Sequence, residues 1–339
     1  MHDAQDIRYD VASVLNRGHR DYQEDAIATD FPLGADFGYA VLSDGMGGHA
    51  AGDVASKIVV TEVFSELKFQ SSDIGIFAEN MGHILKSAAV SANECMAMHA
   101  SSNPQTAGMG ATLVAPVFVR DALYWISIGD SPLYLLRQNR LRQLNEDHSL
   151  GPHIDYMVRS GMMPEDVGRN HPDRNALTSV LIGDPIERID CPDRPFQLKH
   201  GDILIVASDG LQFLTNSEIN EIVAANAGES SAKIAEELLD NLRELDDPEQ
   251  DNVCFSVIKI DIRSEEGEVD SNIFTPEFEP REQRPRQVTT RPVKPDAEPD
   301  YEDLPPPAAA AQVSSSESGK RESQPIFLRR RWLASDGGA

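Results

Sequence analysis

The fold of this chain is decided by one stretch, Ala40-Val41-Leu42-Ser43-Asp44-Gly45-Met46-Gly47-Gly48-His49, in which an apolar run leads into an acid and glycines. The apolar residues 39–42 predict a buried strand that ends at Asp44. Apolar residues with a helical period follow over 50–69. Asp44 is therefore expected at a strand end, on a turn that glycine permits and whose carbonyl groups can face a ligand. Oxygen ligands of this kind suit a hard divalent cation.

Four other places in the chain also set an acid beside a short apolar run. These acids are Glu24-Asp25 before residues 26–28, Asp130 after 123–128, Asp209 after 203–208, and Asp251 before 253–260. Any one of them alone is most simply a turn residue, because aspartate favours turns. Carboxylates gathered at the strand ends of one domain repel each other unless a cation holds them. Together the acids therefore predict an oxygen-lined cation centre.

Length, charge and cysteine content narrow the class of protein. The chain has 339 residues and a formal net charge of -26, which argues against nucleic acid as a partner. Its three cysteines, Cys95, Cys191 and Cys254, form no Cys-x-x-Cys pair, and the first residues do not read as a signal peptide. This pattern is typical of a reducing compartment, so a cytoplasmic location is expected. No apolar run approaches the roughly 20 residues of a spanning helix, so no transmembrane segment is predicted.

Residues 1–263 alternate between strand and helix periodicities, which predicts one domain that contains both. The predicted strands cover 11–15, 39–42, 112–119, 122–128, 133–136, 141–144, 176–182, 187–191, 203–207 and 253–260. The predicted helices cover 50–69, 74–99, 217–225 with Asn216 or Ser217 as the cap, and 231–245. Residues 108–144 indicate an antiparallel meander, and residues 148–173 a surface segment of the kind that gates a site.

Composition changes after about residue 264. Proline, glutamate, arginine and serine dominate residues 264–324, which cannot bury enough apolar surface to offset the entropy of ordering, so a disordered linker is predicted. Residues 325–339 form a basic and apolar motif that includes Ile326-Phe327-Leu328-Arg329-Arg330-Arg331-Trp332-Leu333. This motif is either a frayed terminus or a docking segment, since aromatic and arginine side chains dominate binding hot spots.

The sequence resembles a known family, the metal-dependent protein phosphatases, which are also called type 2C serine/threonine phosphatases, in their bacterial form. The resemblance covers roughly residues 9–261, and its motifs occur in the family's order. They are Arg20-Asp21-Tyr22-Gln23-Glu24-Asp25, Asp44-Gly45-Met46-Gly47-Gly48-His49, Gly129-Asp130-Ser131, Ala207-Ser208-Asp209-Gly210 and Gln250-Asp251-Asn252-Val253. One such motif is weak evidence, whereas five in order make a chance match improbable.

The resemblance implies an α+β fold, a four-layer α-β-β-α sandwich of two mainly antiparallel sheets flanked by helices. It also implies two Mn²⁺ or Mg²⁺ ions, with a third and weaker site. The same resemblance gives each acid a role. Asp44 would bridge both ions, and Gly45 would give a carbonyl. Asp209 and Asp251 would hold the second ion, Glu24 and Asp25 would act directly or through water, and Asp130 would serve the third site. Arg20 would bind the substrate phosphate.

The activity that the resemblance implies is hydrolysis of phosphoserine and phosphothreonine in proteins. Two metals lower the pKa of a shared water, which then attacks phosphorus in line with the leaving oxygen. The partners implied are phosphorylated proteins, among them a serine/threonine kinase and its substrates. Two departures stand out. Met46 occupies the place of a histidine that eukaryotic members use as an acid, and Pro132 replaces an arginine that many relatives carry.

Other chemistries fit the sequence less well. A cysteine-based phosphatase needs an arginine six residues after its thiolate, and the residues at that distance here are Ser101, Gln197 and Ile260. A zinc hydrolase is conceivable from His49, His148 and His171, but their spacing matches no zinc pattern. The remaining alternative is a phosphatase fold without activity that serves as a binding module. The presence of every expected acid counts against that alternative.

Overall fold

The computed structural model describes residues 6–48 and 50–263, and its strands form two antiparallel sheets. The eleven strands are β1 Asp6–Asn16, β2 Asp25–Asp30, β3 Phe37–Met46, β4 Gly110–Ala111, β5 Leu113–Val119, β6 Ala122–Ile128, β7 Leu133–Arg137, β8 Arg140–Gln143, β9 Phe196–Gln197, β10 Ile203–Ala207 and β11 Val253–Arg263. One sheet has the order β1-β11-β10-β7-β8, and the other has β2-β3-β5-β6-β9 with β4 paired to β3. The predicted linker 264–324 and motif 325–339 lie outside the described residues.

The helices of the described residues are α1 Ala50–Gln70, α2 Ile74–Glu79, α3 Met81–Ser102, α4 Gly151–Arg159, α5 Glu165–Arg169, α6 Asn216–Ala225 and α7 Ser231–Glu244. Of these, α1 and α3 pack on one sheet, and α6 and α7 pack on the other. Short 3-10 turns occur at Pro104–Thr106 and Asp209–Phe213. No helix within residues 6–48 and 50–263 is long and apolar enough to cross a membrane.

Three apolar clusters hold these layers together. The first joins α1 and α3 to the β2-containing sheet and includes Leu67, Leu85 and Val117. The second joins α6 and α7 to the β1-containing sheet, and the third fills the space between the two sheets. Burial of apolar side chains on both faces of each sheet is the main favourable term in such a fold. The predicted four-layer α-β-β-α sandwich is therefore confirmed.

The strand around Asp44 is longer than predicted. It was expected over residues 39–42 with Asp44 at its end, but β3 begins at Phe37 and continues through Asp44 and Gly45 to Met46. The extension forms because Asp44 lies opposite Asp25 of β2, while Gly45 and Met46 pair with β4. Partners from distant parts of the chain thus supply hydrogen bonds that the local sequence pattern does not show.

The predicted meander over residues 108–144 is wrong in one respect. Its two hairpins form, β5 with β6 and β7 with β8, but they belong to different sheets. The short segment between β6 and β7 crosses from one sheet to the other. Asp130 lies on this crossing, directly after Gly129, whose φ of 107° is one that L side chains rarely adopt.

Other boundaries also differ. Residues 176–182 and 187–191 are not strands but make isolated bridges, because the Ser179 hydroxyl bonds the backbone of Arg188 in place of a ladder. The single helix predicted over 74–99 is broken at Asn80, whose side chain donates to the Ile76 carbonyl. The cap of α6 is Thr215, not Asn216 or Ser217, because Thr215 and Glu218 form a capping box.

Candidate metal centre

Asp25 and Asp44 lie directly opposite each other on neighbouring strands. They are register partners in the antiparallel pair β2–β3, so their side chains leave the same face of the sheet. Both are buried, with 4% and 6% of their surface exposed. Like charges in this position repel, and burial strengthens the repulsion. A bound cation would compensate it.

Gly45 and Gly52 form a tight backbone cradle beside Glu24. The Gly45 amide donates to the Glu24 carbonyl at 3.1 Å. A Cβ on Gly45 would overlap the Gly52 carbonyl, and one on Gly52 would overlap the Glu24 carboxylate. Only glycine therefore fits at both positions. Gly52 was not predicted from the sequence, although a glycine in the first turn of a predicted helix is the signal that could have shown it.

Asp209 and Asp251 come from the other sheet. Asp209 is half-buried and begins the 3-10 turn after β10, while the next residue, Gly210, packs against the Asn252 carbonyl with no room for a Cβ. Asp251 accepts a hydrogen bond from the Asn252 amide at 2.7 Å through Oδ1. Its other oxygen, Oδ2, lies 2.8 Å from Nη2 of Arg20. The predicted phosphate-binding arginine thus pairs with one of the predicted metal ligands, Asp251, across 231 positions of sequence.

Asn252 is a structural residue of this centre, and its sequence motif gave it no role. Its side-chain oxygen accepts from the Glu24 amide at 2.7 Å. Its side-chain nitrogen donates to the carbonyls of Arg17 and Tyr22 at 2.8 and 2.9 Å. The amide is 3% exposed, and these three bonds attach the loop that carries Arg20 and Glu24 to the start of β11. The signal in the sequence that could have shown Asn252 was its position beside Asp251 in a motif at a strand edge.

Two buried hydroxyl groups, to which the sequence motifs gave no role, hydrogen-bond Asp25 and Asp44. Ser208 Oγ donates to Asp25 Oδ2 at 2.7 Å. Thr112 Oγ1 accepts from the Asp44 amide at 2.9 Å and shares a 2.7 Å hydrogen bond with Ser131 Oγ. Ser131 follows Asp130, so the Thr112 contact links the segment that crosses between the sheets to the strand of Asp44.

The pKa of the Cys254 thiol reflects the electrostatics of the interior around Asp25 and Asp44. Burial raises its pKa well above the usual value, and the nearby negative charges of Asp25 and Asp44 raise it further. Both effects disfavour the thiolate. Cys254 therefore has the properties of an inert core residue, in line with the exclusion of cysteine-based chemistry.

Asp130 lies on the segment that crosses between the sheets and is 8% exposed. The turn before it is held by His148, which is fully buried and whose Nδ1 accepts from the Gly129 amide at 3.2 Å. The His148 amide donates back to the Gly129 carbonyl at 3.0 Å. Burial lowers the pKa of His148, and the positive charge of Arg188 lowers it further, which favours the neutral ring that this acceptor role requires.

The zinc alternative gains no support from these positions. His148 bonds backbone at the buried turn, and His171 Nδ1 accepts from the Asp173 amide at 3.2 Å. His49 lies outside the described residues. His148 and His171, the two histidines of the zinc hypothesis that the structure describes, therefore accept hydrogen bonds from backbone amides.

The candidate donors fit a hard divalent ion of the magnesium or manganese type. In the part of the chain that the structure describes, no three histidine, cysteine, aspartate or glutamate side chains form a metal-holding group by themselves. Magnesium-type sites do not require one, because such ions use one or two carboxylates and keep several waters. The opposed Asp25 and Asp44, with the backbone of the glycine cradle, supply oxygen donors of this kind.

Comparison with known proteins identifies the family. Residues 17–247 match the family described as protein phosphatase 2C. The chain is 34% identical to serine/threonine phosphatase stp of Listeria welshimeri over 184 residues, which cover 54% of this chain and 70% of that one. It is 31% identical to protein phosphatase PhpP of Streptococcus pneumoniae over 191 residues, 55% of this chain and 72% of the relative.

Solved structures give the same result. The serine/threonine phosphatase PstP of Mycobacterium tuberculosis has a TM-score of 0.61 at 28% identity, over 75% of this chain and 99% of that one. The catalytic domain of PstP in complex with two manganese ions has a TM-score of 0.59 at 26% identity, over 76% of this chain and 100% of that one. The family match spans the greater part of the chain and includes every candidate ligand except Asp251. The chain therefore belongs to the protein phosphatase 2C family, and it is a metal-dependent serine/threonine protein phosphatase.

Proposed function

We propose that Glu24, Asp25, Asp44, Asp209 and Asp251 hold two Mn²⁺ or Mg²⁺ ions, with the Gly45 carbonyl as a further ligand, for hydrolysis of phosphoserine and phosphothreonine. The observation that carries the proposal is the direct opposition of two buried carboxylates, Asp25 and Asp44, beside a glycine cradle. When bound, the ions would supply a water of lowered pKa and positive charge for the phosphoryl oxygens.

Arg20 is the residue that we assign to the substrate phosphate. A guanidinium group offers a planar fork of donors that matches phosphate oxygens, and its charge persists at any working pH. Nη2 of Arg20 lies 2.8 Å from Oδ2 of Asp251, so this carboxylate orients the guanidinium. The Arg20 side chain keeps 41% of its surface exposed, which leaves it accessible to a phosphoprotein.

The chain offers no acid directly after Gly45. Met46 stands there, half-buried at the end of β3, and its thioether carries no proton to donate. The leaving alkoxide is therefore protonated by solvent in this proposal. Asp130 is assigned to a third and weaker ion, at a turn that His148 fixes from the side of the 148–173 segment.

Phosphate release from a phosphothreonine peptide tests the function. With Mn²⁺ added, the full chain is expected to release phosphate at a steady rate. With EDTA in excess the rate is expected to fall by about 10²-fold or more, since metals supply several kcal/mol of transition-state stabilisation. Mn²⁺ added back should restore the rate. Equal rates in EDTA and in Mn²⁺ would refute the two-metal proposal, and no release in either condition would favour the binding-module alternative.

The cellular setting is part of the same proposal. We place the enzyme in the cytoplasm, in signalling that a serine/threonine kinase drives and this phosphatase reverses. Its three cysteines are free thiols, as a reducing compartment would keep them. Phosphoserine and phosphothreonine in proteins arise from kinases, so a kinase and its substrates are the partners that the chemistry requires.

The basic motif 325–339 is proposed to dock a protein partner. A chain that ends at Gln324 lacks only this motif, so its turnover of a small phosphate ester is expected to equal that of the full chain. Dephosphorylation of the partner protein is expected to slow, because tethering raises the local substrate concentration by up to about 10²-fold. Kinetics on both substrates measure this, with Lys320→Ala/Arg321→Ala as a charge control outside the motif. Equal rates on the partner protein would identify a frayed terminus.

A further inference from the structure

Ser208 occupies the position where three ligand-bearing elements meet. It follows β10, precedes Asp209, and lies fully buried between β2 and β11. Its amide donates to the Cys254 carbonyl at 2.8 Å, and the Cys254 amide donates to its hydroxyl oxygen at 3.0 Å. Its hydroxyl then reaches Asp25 Oδ2, at 2.7 Å and 183 positions away in sequence. One side chain thus connects the two sheets at the metal centre.

The direction of these hydrogen bonds is determined by the groups involved. The Cys254 amide can only donate, so it uses one lone pair of Ser208 Oγ. The Ser208 proton has two acceptors within reach, Asp25 Oδ2 at 2.7 Å and the Cys254 carbonyl at 3.3 Å. The shorter contact is to a carboxylate, and charge-assisted bonds of this kind are the stronger ones. Ser208 therefore donates to Asp25.

We propose that Ser208 is a positioning residue that fixes the Asp25 carboxylate and thereby sets the affinity of the centre for its metal. The inference rests on the proposed metal-binding role of Asp25. A buried donor that holds one oxygen of a carboxylate fixes the rotation of that carboxylate. Removal of a residue that holds a ligand in this way commonly lowers metal affinity by about 10- to 100-fold. Ser208 touches no substrate in this role.

Ser208→Ala tests the role by direct measurement of Mn²⁺ binding. Calorimetric titration of the full chain is expected to show a Kd for Mn²⁺ that is about 10- to 100-fold higher in the variant. At saturating Mn²⁺ its kcat is expected to recover most of the wild-type value, because the ligands themselves remain. A role confined to folding would instead lower the melting temperature in EDTA and leave the Kd of the folded protein unchanged.

Ser256→Ala is the matched control. Ser256 is equally buried, two residues after Cys254 on β11, but its hydroxyl donates to the Ala12 carbonyl and accepts from Ser13, away from the acids. Loss of this hydroxyl is expected to leave the Mn²⁺ affinity unchanged. An equal loss of affinity in Ser208→Ala and Ser256→Ala would overturn the proposal, because it would show a general effect of removing buried hydroxyls.

A double-mutant cycle with Asp25→Ala separates action through Asp25 from any independent effect. If Ser208 acts through Asp25, Asp25→Ala and Asp25→Ala/Ser208→Ala should bind Mn²⁺ with Kd values equal within about twofold. Fully additive losses would overturn the proposal. Should Ser208→Ala not fold, Ser208→Cys keeps the volume with only a weak donor and is expected to show the same weakened Mn²⁺ binding. A wild-type chain that binds no Mn²⁺ would instead refute the proposed function itself.

Discussion

Asp44→Ala is expected to lower kcat/KM for a phosphothreonine peptide by about 10³-fold or more. The side chain is proposed to bridge both ions, so its loss removes a ligand from each. The backbone of Asp44 keeps its bonds to Thr112, through the amide at 2.9 Å and through the carbonyl at 2.9 Å. The fold is therefore expected to survive, and steady-state kinetics with a thermal melt measure both properties.

Stability gives a second readout for Asp44. In EDTA the variant is expected to melt no lower than the wild type, because one of two opposed buried carboxylates is gone. Cys95→Ser is the control, since Cys95 lies on α3 with no proposed role, and it should retain full turnover. Asp209→Ala should lose activity as Asp44→Ala does. Near-normal turnover in Asp44→Ala would refute its bridging role.

The second large effect concerns the leaving group. At saturating substrate an aryl phosphate is expected to turn over faster than a phosphoserine peptide, by up to about 10²- to 10⁴-fold, which is what a general acid typically contributes. The reason is that Met46 cannot protonate the leaving oxygen, and a phenolate leaves without a proton more readily than an alkoxide. Rates over a series of substituted phenyl phosphates would give the dependence on leaving-group pKa.

Variants at Met46 sharpen this test. Met46→His supplies a proton donor where eukaryotic members of the family carry one, and it should raise the phosphoserine rate more than the aryl rate. Met46→Leu keeps a similar volume without a donor and should leave the ratio of rates unchanged. The position tolerates a change of side chain because it is half-buried at the end of β3, opposite Gly110. Equal wild-type rates across leaving groups would show that another residue donates the proton or that a step other than the chemical one limits turnover.

The local pattern of the sequence was enough to predict the acids and many of the helices and strands, whereas the four-layer arrangement came from the family resemblance. Apolar residues with a helical period correctly predicted α1 and α7. Short apolar runs joined by turns correctly predicted the hairpins β5–β6 and β7–β8. Such patterns are readable because each strand or helix must bury its own apolar face. The acids beside these runs were visible for a similar reason, since turns and strand ends lie next to the apolar runs in the sequence. The family followed from the order of five short motifs.

Contacts between distant residues could not be predicted in this way. The pairing of Asp25 with Asp44 depends on strand register. The hydrogen bond from Ser208 to Asp25 depends on how one sheet packs on the other, and the bond between Asn252 and Glu24 depends on both. The same holds for the pair of Arg20 and Asp251. No local propensity encodes such pairs, because register and sheet packing are set by the whole apolar core. The sequence by itself determined the fold class and the chemistry of the ligands, and only the tertiary structure decided which side chains orient them.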